Sequence, residues 1–328
     1  MRNRAVLIAL GVIALIVVGR LFFPGPAPHV SLKAEPVLHL GGLAIENTTV
    51  AAWASIAVIL LVFWRASRSA SLIPSGRSWQ NALEIVLDMF LNLCNNVAGP
   101  RNARRFFPLV VTIFLFIFVS NYLGLLPGYH TIGWVEEGEH GSVWSEVHLG
   151  PLNVAILPFN AQQVEGHDAH GAEGATIGTL APWLRSANTS LNTTLAIALV
   201  AMAFIEFWGL RALGFGYLGK FINVRRLLRG DIMNGLIDLF VGLLDIISEL
   251  ARLISLSFRL FGNIFAGEVL LSVMTYLVSW VLIVLFLGLE LLVGVIQALV
   301  FALLALVFAT VAVTAHGEEG HEAQPTHH

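Results

Sequence analysis

The chain alternates between long apolar segments and short polar ones, and this alternation predicts its helices. Apolar runs of about 18 or more residues are long enough to cross a membrane as α-helices. The runs are continuous and do not alternate with period two, which argues against a β-barrel. We predict membrane helices at 49–64, at 106–126, in a segment that opens at Ser190, at 233–276 and at 280–315.

Residues 79–97 form a different kind of segment, because polar residues interrupt it at regular intervals. Its apolar residues share one helical face, which is typical of a helix that lies in the membrane interface. The apolar positions are Leu83, Val86, Leu87, Phe90 and Leu93.

The last two apolar segments are too long to stand upright in a bilayer. As helices they would measure about 65 Å and about 54 Å, at about 1.5 Å per residue, against a hydrocarbon core of about 30 Å. A pair of long, steeply tilted antiparallel helices that turns near residues 277–279 reconciles these lengths. We therefore predict an all-α polytopic membrane protein with upright helices, one tilted pair and one interfacial helix.

Charge in the connecting segments predicts the orientation. Arg65, Arg68 and Arg77 follow the first span, so that end is expected in the cytoplasm. The loop over 129–188 carries many acidic residues and one basic residue, Arg185, which is typical of an external loop. Within this loop "HDAH" (167–170) has loose spacing, so we interpret it as solvated loop in preference to a metal site.

The remaining boundaries follow from the same pattern. Residues 1–23 are a signal peptide or an anchor helix, and 24–48 form an external segment. Residues 49–315 form the membrane domain, and 316–328 form a polar tail that we expect to be disordered.

Composition supports this picture. The chain is 57% hydrophobic and 12% charged, with mean hydropathy +0.80, which excludes an ordinary soluble domain. Cys94 is the single cysteine, so an internal disulfide and a cysteine metal site are excluded. No phosphate-binding glycine loop is present, so we expect no ATP binding or catalysis by the chain alone. We assign no cofactor, no metal and no nucleic-acid partner.

The predicted 233–276 helix carries two polar stripes on different faces. The first follows helical spacing through Asp245, Ser248, Arg252, Ser255, Arg259 and Asn263. The second contains Glu268, Ser272, Thr275 and Ser279. Arg259 and Glu268 are about 900° apart around the helix, which puts them half a turn out of phase. Two offset stripes that do not meet are the geometry of two half-channels from opposite sides of a membrane.

Folding the pair about its turn brings further polar residues into the second stripe. Glu268 then lies roughly opposite Glu290, and Arg259 roughly opposite Gln297. Two carboxylates that face each other at membrane depth are expected to share a proton, because like charge and desolvation both favour protonation. The arrangement predicts a proton relay.

Arg259 is costly at this depth, by at least about 2.5–3.5 kcal/mol. It cannot escape by losing its proton. Glu268 is about 13.5 Å along the axis and on the other side. An acidic partner on another helix or another protein is therefore expected; a static ion pair, for example with Glu290, is the alternative.

The string "SLSFRLFGNIFAGE" (255–268) closely resembles the signature of subunit a of the membrane sector of F-type ATP synthases. The resemblance runs from about Thr49 to Ala315. It includes "NYLGLLPG" (121–128), "SLNTTLAIAL" (190–199) and "GVIQALVFALL" (294–304).

The resemblance implies the stator half of a rotary proton path beside a ring of c subunits. Arg259 would face the carboxylate of each passing c subunit and block a direct leak. Glu268, Glu290, Gln297 and Asn263 would form the external half-channel. The cytoplasmic path would contain Ser255, Ser248 and Asp245.

The same resemblance implies the setting of the protein. Its partners would be the c-subunit ring, the b-subunit peripheral stalk, other ATP synthase subunits and the lipid bilayer. The location would be the inner (plasma) membrane of a bacterium, with multiple spans. At Gly124 some family members carry an aspartate of the external channel, and that contribution is missing here.

Two other classes of protein compete with this interpretation. A stand-alone proton-coupled secondary transporter would show internal repeats and helices broken by Gly or Pro at mid-membrane; the sequence shows no repeat, and the long helix pair lacks proline. A purely structural assembly subunit would not need offset polar stripes.

Overall fold

The computed structural model describes residues 11, 33–40, 43–68, 79–126, 129, 132–149, 152–156, 163–165, 175–214, 217, 232–277 and 280–314. The N-terminal apolar segment other than residue 11, the "HDAH" string and the polar tail lie outside these residues, so the predictions made for them stay predictions. The described part is dominated by α-helix, as the hydropathy pattern predicted.

Five α-helices account for most of the described residues. They are α1 (Asn47–Arg68), α2 (Trp79–Gly124), α3 (Leu191–Leu213), α4 (Ile232–Leu277) and α5 (Trp280–Thr314). The predicted boundaries agree closely at α3, α4 and α5. In the described chain, four helical segments are long and apolar enough to cross a membrane: Asn47–Arg68, Gln80–Gly124, Leu191–Leu213 and Ile283–Thr314.

Helix α1 begins at Asn47, two residues before its predicted start. The Asn47 side-chain oxygen accepts a hydrogen bond from the Thr48 backbone N–H at 2.8 Å. Such a bond satisfies one of the amide groups that have no partner within the first turn of a helix. At the other end Arg65 and Arg68 lie in the last turn, where positive charge is favourable.

Helix α2 joins two segments that the sequence suggested were separate. Gly99 has φ 72° and ψ 159° and interrupts the helical backbone, and Pro100 follows it. A positive φ is cheap only for glycine, and proline is well placed to begin the next helix. The predicted interfacial helix therefore ends at a sharp kink. The second span begins several residues earlier than predicted, with Arg101, Arg104 and Arg105 already helical.

The loop over 129–188 contains strands that the sequence analysis did not predict. They are β3 (Gly133–Leu149), β4 (Leu152–Ile156), β5 (Gln163–Glu165) and β6 (Ala175–Pro182), and β3 pairs antiparallel with each of the others. A hairpin precedes α1, formed by β1 (Pro36–Leu40) and β2 (Leu43–Glu46). The sequence predicted only an external loop here, because its charge composition masked the β-branched and aromatic residues of the strands.

The described residues separate into two compact units. The first falls within Met1–Val58, Phe118–Thr193 and Phe261–Ile296, and the second within Ile59–Ile117, Thr194–Leu260 and Gln297–His328. The first unit contains all of the strands and a set of buried polar side chains. The second has an aromatic core in which Phe90 packs against Phe114 and Phe106 against Trp208.

Inside each of the two units, a residue of α4 contacts a residue of α5. In the first unit Gly267 of α4 lies against Glu290 of α5. In the second unit the Cζ atom of Arg252 on α4 lies 4.5 Å from the centre of the Phe308 ring on α5. The contact with the lower residue number on α4, Arg252, has the higher residue number on α5, Phe308. This is the order of contacts that the predicted hairpin requires.

Candidate functional site

In the first unit, side chains from three helices meet around Glu290. A Cβ atom at Gly267 would overlap the Glu290 carboxylate, so only glycine leaves room for that carboxylate beside α4. The Glu290 side chain is buried. From α2, the Tyr122 hydroxyl donates to the Leu291 carbonyl at 3.4 Å, one residue after Glu290. The predicted relay residue is thus enclosed by protein.

A chain of amides fixes the end of α2 against α5. Asn188 Nδ2 donates to Asn121 Oδ1 at 2.7 Å, and Asn121 Nδ2 donates to the Gly294 carbonyl at 3.2 Å. Both asparagines are buried. Buried amides of this kind are costly unless they are hydrogen-bonded, so the two bonds specify how these segments pack. The strings that begin at Asn121 and Gly294, which are far apart in sequence, are therefore adjacent in the fold.

Glu268 has a basic partner that the sequence analysis did not assign to the site. Arg185 Nε lies 2.9 Å from Glu268 Oε1 and donates to Oε2 at 3.1 Å. The Arg185 side chain is 5% exposed and that of Glu268 is 22% exposed. The available signal was that Arg185 is the one basic residue of an acidic loop. Direct proton sharing between Glu268 and Glu290 stays a prediction.

The position of Gly124 explains one departure from the family pattern. A Cβ atom there would lie 2.7 Å from the Ser186 Cβ and 3.0 Å from its Oγ. The Ser186 hydroxyl donates to the Ser120 carbonyl at 3.3 Å, and the Ser120 hydroxyl bonds that of Ser55 at 3.0 Å. An aspartate at 124 would therefore require Ser186 to move.

In the second unit, the first polar stripe of α4 faces outward. Arg259, Ser255 and Ser248 are exposed, and Asp245 is half-buried. The Ser248 hydroxyl donates to the Leu244 carbonyl of its own helix at 2.8 Å. Within the described residues of this unit, no acidic side chain forms an ion pair with Arg259.

The other residues that the sequence predicted are divided between the units. Gln297 is buried in the second unit, whereas Asn263 is exposed in the first. Arg252, also in the first stripe, forms an ion pair within α4, with its Nη1 atom 2.7 Å from Glu249 Oε2. The stripe thus contains one arginine that is paired within its helix and one that is exposed.

A buried tyrosine lies near the end of α3 in the second unit. A Cβ atom at Gly209 would come within 2.8 Å of the Tyr217 ring, so glycine admits the ring against the helix. Burial raises the pKa of Tyr217 above its ordinary value, and a hydrogen bond to Glu206 raises it further. Glu206 on α3 therefore has the Tyr217 hydroxyl as a partner.

The apolar helices, the antiparallel α4–α5 pair and the charges on α4 define a polytopic α-helical membrane protein. The family model described as ATP synthase A chain matches residues 49–310. The chain belongs to this family, as the resemblance of its motifs predicted. It is therefore a membrane subunit of ATP synthase that takes part in proton translocation, together with other subunits of the complex.

Proposed function

We propose that the chain provides two offset proton half-channels to a ring of c subunits, with Arg259 facing the carboxylate of each passing c subunit. The observation that carries this proposal is the exposure of Arg259 on α4, without an ion pair among the described residues of its own unit. An arginine at membrane depth is costly unless it meets a counter-charge. A carboxylate supplied by a partner subunit provides that charge.

The surroundings of Arg259 support a partner surface at this place. Large apolar side chains of α4 are exposed before and beside it, and they include Ile247, Leu250, Ile254 and Phe258. Apolar side chains that remain exposed in a membrane helix are covered by lipid or by neighbouring helices. Ser248 and Ser255 lie among them, where they would face the same partner.

The chemistry of the stator arginine follows from its fixed charge. A guanidinium stays protonated in proteins, so it cannot take the proton from an arriving carboxylate. Its charge instead favours the ionised form of that carboxylate, so the proton leaves into a half-channel. The same fixed charge opposes passage of a proton directly from one half-channel to the other.

We assign the two half-channels to different parts of the α4–α5 pair. Glu268, Glu290, Asn263 and Gln297 would carry protons on the external side, and Asp245, Ser248 and Ser255 on the cytoplasmic side. The burial of Glu290 supports an enclosed external path, and Gln297 is likewise buried within its own unit. Exposure of Ser248 and Ser255 supports a cytoplasmic path completed by the partner. The b-subunit stalk and the bacterial inner membrane belong to the same proposal.

The test is Arg259→Ala in the complete ATP synthase, reconstituted into vesicles under a fixed proton gradient. We expect proton-driven ATP synthesis to be lost while the complex still assembles. Arg101→Ala is a matched control, because Arg101 is also an exposed arginine. Normal synthesis by the Arg259 variant would contradict the proposal.

A further inference from the structure

Arg185 is the most deeply buried cation of the described residues in the first unit, and the proposed proton path does not include it. Its residue is 4% exposed. It precedes the short 3-10 helix Ala187–Thr189, so its backbone lies outside the long helices. Burial of a charge is costly unless the charge is paired and hydrogen-bonded, so its contacts indicate what holds it in place.

The Arg185 side chain contacts groups on α4 and in the N-terminal segment. Its Nε approaches both carboxylate oxygens of Glu268, at 2.9 and 3.1 Å. Its Nη1 donates to the Lys33 backbone carbonyl at 3.4 Å. Its Cζ lies 5.8 Å from the centre of the Phe265 ring. The planar guanidinium is thereby held between α4 and the segment before the first hairpin.

That N-terminal segment is itself fastened to the rest of the unit. The Asn47 backbone N–H donates to the Glu35 carbonyl at 2.9 Å. The Asn47 side chain donates to the Pro182 carbonyl at 3.1 Å, close to Arg185 in the chain. The segment from Lys33 to Glu46 precedes the residues that match the family, which begin at 49. These contacts give a role to an extension that the family resemblance left unexplained.

We propose that Arg185 is a positioning residue for Glu268, and that the N-terminal segment 33–46 locks Arg185 in place through the Lys33 carbonyl. This inference rests on the proposed role of Glu268 in the external half-channel. A glutamate has a long and flexible side chain, and ordering it costs conformational entropy. The fixed fork of a guanidinium supplies directed hydrogen bonds that hold the carboxylate in one orientation. Glu268 then receives protons at a fixed place.

The experiment measures ATP synthesis per assembled complex in vesicles under a fixed proton gradient. Methionine at 185 keeps an unbranched side chain and removes the charge. We expect Arg185→Met to lower the rate about tenfold, since misplacing a reacting group is expensive. Arg185→Lys keeps the charge but lacks the fork of the guanidinium, so its rate should fall clearly below the parent rate and stay above that of Arg185→Met. Arg101→Met, an exposed arginine exchanged in the same way, should leave the rate unchanged.

A second pair of variants separates positioning from general packing. Residues that act through one contact are not additive, so Arg185→Met should slow a Glu268→Gln enzyme by less than about twofold. Replacing 33–46 with a Gly/Ser segment of equal length should lower the parent rate about threefold and leave the Arg185→Met rate unchanged. These results are expected if segment 33–46, Arg185 and Glu268 act together.

Several outcomes would overturn the proposal. One is a parent-like rate for Arg185→Met; another is a double variant whose loss is the product of the two single losses. If Arg185→Met does not assemble, Arg185→Lys takes its place, and a loss that persists unchanged in the Glu268→Gln background counts against positioning. Failure of the half-channel proposal is seen separately, because Arg259→Ala would then synthesise ATP normally whatever Arg185 does.

Discussion

The two arginines Arg185 and Arg259 show two ways to place a fixed charge in an apolar protein. Arg185 is buried and lies 2.9 Å from the Glu268 carboxylate of its own unit. Arg259 is exposed, and the described residues of its unit give it no ion pair. A charge that is paired within its own unit stabilises the fold, whereas an exposed charge is available to a partner. Residue type alone therefore does not distinguish an arginine that stabilises the fold from one that is available to a partner.

The largest expected effect is on the free energy of unfolding, and it should differ between variants of Arg185 and Arg259. Arg185→Met leaves the Glu268 carboxylate without its cation, and breaking a buried pair costs about 3–5 kcal/mol. Because Glu268 is 22% exposed, we expect less, about 2 kcal/mol. Arg259→Met should leave the unfolding free energy nearly unchanged. Denaturation of the purified subunit in detergent measures the unfolding free energy of both variants. Equal losses would mean that burial and pairing do not distinguish Arg185 from Arg259.

A second prediction concerns the carboxylate that is held by packing and not by a cation. Gly267→Ala puts a Cβ atom where the Glu290 carboxylate lies, and overpacking of this kind costs about 1–3 kcal/mol. Proton-driven synthesis should fall as well, because Glu290 must move. Thermal unfolding and synthesis assays measure the two effects.

Gly288→Ala is the matched control for this prediction. It is a helical glycine of α5 with no atom within 4 Å of a Cβ built there, so alanine should be neutral or stabilising by up to about 1 kcal/mol. If the two alanine variants behaved alike, the close approach of Glu290 to Gly267 would not matter for the protein.

A smaller loss of stability than at Arg185 is expected at Arg252, whose pairing is intermediate between those of Arg185 and Arg259. Its side chain is 28% exposed, pairs with Glu249 one turn away and lies over the Phe308 ring. A partly exposed ion pair and a cation–π contact each contribute about 1 kcal/mol or less. Arg252→Met should therefore lower the unfolding free energy by about 1 kcal/mol. A loss as large as that of Arg185→Met would contradict the order of burial.

Much of the fold was predictable because long apolar helices are recognisable from the local sequence. The lengths of α4 and α5 far exceed the thickness of a membrane, and this mismatch was enough to predict an antiparallel pair. The contact of Gly267 with Glu290 confirms that pairing. The motif around Arg259 likewise predicted the family, which the match over 49–310 confirms. The strands of the 129–188 loop were missed, because the charged residues of this loop obscure the alternation that marks a strand.

The helices, the polar faces of α4 and the family can be read from the amino-acid sequence alone, since each depends on residue type and helical spacing. The ion pair of Arg185 with Glu268 and the packing of Glu290 on Gly267 are visible only in the folded chain. The same holds for the hydrogen bonds through which Asn188 and Asn121 link the loop to α5. Those contacts join residues distant in sequence, and no local propensity encodes them. A buried polar group finds its partner only when the segments that carry the two groups have packed together.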